Sequence, residues 1–100
     1  MQVQETKSRI TKKFADPKLN GLTELQSSTI EYIDEFIRTQ QLPPTIREIA
    51  LYYGVTTKTI SGRLLGIERK GFLKILPRIS RGIILTESAR LYLAESRDVV

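Results

Sequence analysis

The chain has 100 residues, 40% of them hydrophobic, and a formal net charge of +5, which suits one small domain with a modest core. It contains no cysteine and no histidine, which excludes a disulfide framework, a zinc site built on those residues and a His-based catalytic triad. No apolar run reaches the roughly 20 residues of a membrane-spanning helix, and MQVQETKSRITKKF lacks the apolar segment of a signal peptide, so a cytoplasmic protein is expected.

Residues 1–21 are polar and basic, with Lys7, Arg9, Lys12, Lys13 and Lys18. Val3, Ile10 and Phe14 fall at helical spacing, so this stretch reads as a basic arm or a short helix. Asp16-Pro17 and Asn20-Gly21 are turn signals that set it apart. The first firm helix starts at Thr23. Thr23 and Gln26 fit a capping box, in which each side chain satisfies an unpaired backbone donor at the helix start. Ile30, Ile33, Phe36 and Ile37 form its apolar stripe, and Glu31, Asp34 and Glu35 lie on the solvent side. Pro43-Pro44 ends it near Thr39–Gln41, because proline disfavours helical backbone in the residue before it.

Thr45 and Glu48 form a second capping box, and Ile46, Ile49, Ala50 and Tyr53 give the next helix a short apolar face. Gly54 is its stop signal. A third helix is expected from about Thr57 to Lys70, with Thr56 or Thr57 as N-cap and Gly71 at its end. Ile60, Leu64 and Ile67 are its buried stripe. Gly62 and Gly66 fall off that stripe, on a side that also carries Lys58, Thr59, Ser61, Leu65 and Arg69. Phe72–Leu76 and Ile83–Leu85 read as two strands joined by the basic turn Pro77–Gly82. Thr86–Arg97 reads as a last helix, with Ala89, Tyr92 (or Leu91) and Leu93 apolar.

The charge is uneven. Residues 56–82 hold Lys58, Arg63, Arg69, Lys70, Lys74, Arg78 and Arg81 against Glu68 alone. A basic face of this kind suits a polyanion. The order helix, helix, turn at Gly54, basic helix, basic-tipped hairpin is that of a winged helix-turn-helix. The expected fold is therefore mostly α with a small β-hairpin, a basic N-terminal extension and an extra C-terminal helix. Its third helix would enter the major groove of double-stranded DNA, with the hairpin on the flanking backbone or minor groove.

The expected contacts follow from side-chain chemistry. Lys58 and Arg63 can donate to phosphate or to guanine O6 and N7, and Thr57, Thr59 and Ser61 to phosphate or base edges. Thr45 and Thr56 or Thr57 sit at helix starts, where free N–H groups attract phosphate, and Arg47 follows one of them. Gly62 and Gly66, bare of side chains, either let the helix backbone approach the base edges or are tolerated surface glycines; Leu65 is a thymine-methyl contact, a protein contact or plain surface. Arg69, Lys74, Arg78, Ser80 and Arg81 complete the DNA-facing set.

LTELQSSTIEYIDEFIRTQQLPPTIREIA (Leu22–Ala50) resembles the opening of LexA-type repressors, through the initial Leu-Thr, Pro-Pro-Thr and Glu-Ile-Ala. RKGFLKI (Arg69–Ile75) and SRGIIL (Ser80–Leu85) resemble the last helical turn and wing of that family. The resemblance covers roughly residues 22–86 and implies a transcriptional regulator, a repressor that binds a palindromic operator as a homodimer. The segment TTKTISGR is one residue shorter than in the family, and the acidic pair that many members carry falls at Ser61 and Gly62. The groove-facing positions transfer; the base preference does not. LexA proteins also carry a C-terminal self-cleaving peptidase domain, which about fifteen residues after the wing cannot form, so self-cleavage is not expected. Glu31, Asp34 and Glu35 fall on one exposed helix face and read as solvated charge, so no enzymatic activity is expected.

Three units are thus expected: the arm, residues 1–21; the winged helix, 22–86; and the C-terminal helix, 87–100. That last helix either packs on its own core or pairs with a second copy through Leu91, Tyr92 and Leu93. No cofactor, metal or small-molecule ligand is indicated. Two other readings stay open: a replication or partition factor of a mobile element, and a winged helix that meets an acidic protein partner.

Overall fold

The computed structural model describes residues 21–98, so the expected arm, apart from Gly21, lies outside the described residues. The first helix, α1, spans Glu24–Gln40. Both halves of its capping box form: Gln26 N–H donates to Thr23 Oγ1 at 3.1 Å, and Thr23 N–H donates to Gln26 Oε1 at 3.0 Å. It ends at Gln41, which takes the left-handed conformation at φ 66°. The buried Pro44 follows close behind. Helix α2 spans Ile46–Tyr53 with the second capping box, Thr45 and Glu48, also complete. Gly54, at φ 67°, reverses the chain, and Val55 N–H donates back to the Ala50 carbonyl.

Helix α3 spans Thr57–Arg69 with Thr56 as N-cap. Gly71, at φ 87°, turns the chain out, and Phe72 N–H returns to the Ile67 carbonyl. Strands β1 (Leu73–Ile75) and β2 (Ile83–Leu85) pair antiparallel in the register Leu73↔Leu85, Lys74↔Ile84, Ile75↔Ile83. The first strand is shorter than Phe72–Leu76. The hairpin bonds continue at both ends all the same, from Thr86 N–H to Phe72 O and from Leu76 N–H to Gly82 O. Helix α4 spans Glu87–Asp98.

The core is one cluster. Ile30 and Ile33 of α1, Ile49 of α2, Ile60, Leu64 and Ile67 of α3 and Leu73 of β1 are fully enclosed. The expected stripes are therefore the buried ones, with Phe36, Ile37, Ile46 and Tyr53 at the margin. Two polar side chains are buried in α1. Thr29 turns its hydroxyl back onto the Leu25 carbonyl at 2.7 Å. Ser27 is hydrogen-bonded to the Tyr92 hydroxyl at 2.6 Å, which ties α4 to α1.

That bond helps to pack the C-terminal helix against α1. Ala89, Tyr92 and Leu93 are buried against the core, with Tyr92 edge-on to Phe72 at 6.3 Å between ring centres. Tyr92 and Leu93, expected as possible pairing residues, are spent on intramolecular packing; of the three, only Leu91 is exposed. Midway along α1, Tyr32 stacks on Tyr52 at 4.3 Å and meets Tyr53 edge-on at 6.2 Å. Burial pushes the Tyr32 hydroxyl above the ordinary tyrosine range, and the charge of Glu48 adds to that.

Candidate nucleic-acid interface

The buried stripe of α3 fixes the direction of its other side. With Ile60, Leu64 and Ile67 enclosed, Thr57, Lys58, Thr59, Ser61, Gly62, Leu65 and Arg69 all stand exposed. Thr56 is also exposed, but its hydroxyl is engaged in capping: Thr59 N–H donates to it at 3.1 Å, and the two hydroxyls lie 3.0 Å apart. Lys58, Arg69, Lys74 and Arg78 make no hydrogen bond or ion pair among the described residues and project from α3 and the wing. Arg47 is exposed near the start of α2, beside the half-buried Thr45.

The glycines of α3 part company. A Cβ on Gly62 would meet nothing within 4 Å, so that position is open surface. A Cβ on Gly66 would come to 3.0 Å from Gln26 Nε2. Gly66 therefore faces the end of the Gln26 side chain at the start of α1, whereas Gly62 faces open space. Lys70 holds the same side chain by donating to Gln26 Oε1 at 2.7 Å.

Two of the expected cations face inward. Arg63 lays its guanidinium over the Tyr53 ring at 4.8 Å and donates to Thr29 Oγ1 at 3.3 Å. Arg81 folds back from the wing onto α2. Its Nη1 donates to Pro43 O and to Glu48 Oε1, each at 2.8 Å, and its Nη2 donates to Glu48 Oε2 at 2.9 Å. This two-pronged pair, with the bond from Thr45 N–H, pulls the Glu48 carboxyl down to about 2. The wing is held a second time by Glu68, whose Oε2 accepts from Ile75 N–H at 3.1 Å.

Sequence reasoning finds neither anchor. Glu48 is visible only as the third residue of a capping box, and its partner lies 33 positions away. Glu68 is visible only as the lone acid in a basic stretch. At the tip of the wing Arg78 takes φ 61°, and Gly82 is enclosed: a Cβ there would sit 2.9 Å from Leu76 O and 3.0 Å from Ile79 O. Ile79 and Ser80 are exposed.

The three-helix core, the tight turn at Gly54, the exposed basic face of α3 and the anchored hairpin define a winged helix-turn-helix. The family model of the LexA DNA binding domain matches residues 19–82. The LexA repressor of Leptospira biflexa is 39% identical over 67 residues, which is 67% of this chain and 33% of that protein. The chain thus matches about a third of the length of that curated relative. Among solved structures, MepR of Staphylococcus aureus, a transcription regulator of the multidrug efflux pump MepA, superposes with a TM-score of 0.61 at 30% identity, over 92% of this chain and 70% of that one. The MepR–DNA complex gives a TM-score of 0.62, also at 30% identity, over 91% and 68%. This chain belongs to the LexA DNA-binding domain family. Among the described residues no helix is long and apolar enough to cross a membrane, and no group of His, Cys, Asp or Glu is arranged to hold a metal ion.

Proposed function

We propose that the chain is a sequence-specific regulator of transcription, a repressor that binds double-stranded DNA at a palindromic operator as a homodimer in the cytoplasm. The observation that carries this reading is the outer face of α3, where Lys58, Ser61, Thr57 and Arg69 stand exposed on a helix whose opposite side is the domain core. Membership of a DNA-binding family and the likeness to a regulator solved with DNA support it.

In this reading α3 lies in the major groove. Lys58, Thr57, Thr59 and Ser61 address bases or phosphates, Gly62 faces the groove floor, and Arg69 reaches the backbone. Lys74, Arg78 and Ser80 carry the wing along the flanking strand, and Thr45 and Arg47 meet a phosphate at the start of α2. Thr56, Arg63 and Arg81 act chiefly as positioning residues, holding the helix start, the α3 face and the wing. No cofactor takes part.

The test is selection of bound sequences from random duplex DNA, repeated with Lys58→Ala. An enriched palindrome, bound roughly tenfold or more weakly by Lys58→Ala, is expected; a good side-chain–base pair is worth about 1–3 kcal/mol. Enrichment of nothing, with weak binding that fades uniformly as salt rises, would sink the operator reading in favour of an architectural or protein-binding role.

A further inference from the structure

Position 62 has no structural need for glycine. Gly62 is absent from the glycines with left-handed backbone, it lies in the interior of α3, and a Cβ there would touch nothing. Alanine would stabilise the helix, because glycine is a poor helix former in such a position. Gly66 differs: a Cβ there would meet the end of the Gln26 side chain.

Leu65 stands one turn further along the same side. It is 44% exposed and shares its face with Lys58, Ser61 and Arg69. Glu68, the one carboxylate in α3, is engaged with β1. An apolar side chain ringed by cations and a hydroxyl matches one feature of a duplex in particular. The thymine C5-methyl is the apolar group on the base edges of the major groove, where phosphates run alongside on both strands.

Resting on the DNA reading above, we propose that Gly62 and Leu65 set base preference. Gly62 lets the α3 backbone approach the base edges, and Leu65 packs on the methyl of a thymine in each half-site. Arg69 holds a flanking phosphate.

The full chain is tested on its selected duplex and on copies in which each thymine in turn is replaced by deoxyuridine, which removes only the methyl. One position per half-site is expected to lose about fourfold in affinity, the worth of one buried methyl. Leu65→Ala is expected to lose a similar factor on the parent duplex and nothing further on that deoxyuridine copy. Gly62→Ala is expected to unfold at higher temperature than the parent chain yet bind at least tenfold more weakly. Equal deoxyuridine penalties in the parent chain and Leu65→Ala, or unchanged binding by Gly62→Ala, overturn the proposal while leaving the operator reading intact. Failure to enrich any duplex overturns both.

Discussion

Glu48 performs two tasks with one carboxylate. It closes the cap of α2 by accepting from Thr45 N–H at 2.9 Å, and it holds the wing by accepting both prongs of Arg81. Its folded-state pKa of about 2 lies below the ordinary carboxylate range near 4.5. The pair therefore contributes stability that is fully present above that range and is lost as pH falls toward 2, because the unfolded chain takes up the proton first. Glu48→Gln can keep the cap but not the charge. Acid titration of thermal stability is expected to show a shallower fall between about pH 4.5 and 2 in Glu48→Gln than in the parent chain. Gly82 tests the same wing by shape. A Cβ there would press on the Leu76 and Ile79 carbonyls, so Gly82→Ala is expected to cost roughly 1–3 kcal/mol in urea unfolding, the range of overpacking. The change should also speed amide exchange at Leu76, whose N–H is bonded to the Gly82 carbonyl.

The helix starts were legible in the sequence because a capping box is written in four consecutive residues. Thr23 with Gln26 and Thr45 with Glu48 form as read. The buried stripes were legible for a similar reason, since periodicity is a property of one element. What joins the elements was not legible. Ser27 to Tyr92 spans 65 positions, and nothing in the local pattern of either residue marks the other. This is why α4 could be read either as core or as a pairing helix. The chain end of α1 was read from its prolines, yet the residue that turns is Gln41 at φ 66°. Gln41→Gly is expected to stabilise the domain by about 0.5–1 kcal/mol, as the strain of a left-handed side chain is relieved and partly offset by a looser unfolded chain. For α4, Leu93→Ala is expected to cost about 2–5 kcal/mol as a core truncation. Leu91→Ser should stay within about 0.5 kcal/mol. A dimer whose sedimentation is unchanged by Leu91→Ser does not pair through that part of α4.

At the scale of the whole molecule the charges are sorted. Glu31, Asp34 and Glu35, with Arg38 paired to the last two, line a groove shared with Leu93 and Ser96 of α4, while Lys58, Arg69, Lys74 and Arg78 stand on α3 and the wing. If the wing tracks phosphates, Lys74→Ala lowers affinity on every sequence alike and makes the plot of log affinity against log salt shallower by about 0.9. An unchanged slope would place Lys74 off the backbone. The anchors of the wing have one further consequence. Arg81 is fastened to α2 and to the Pro43 carbonyl, and Glu68 reaches β1 from the inner side of α3. None of these fastenings uses Lys58, Ser61, Gly62 or Leu65. If that face reads DNA, its lettering can therefore be rewritten without retuning the chassis that carries it, and a library varied at those four positions alone should yield folded proteins with changed base preference.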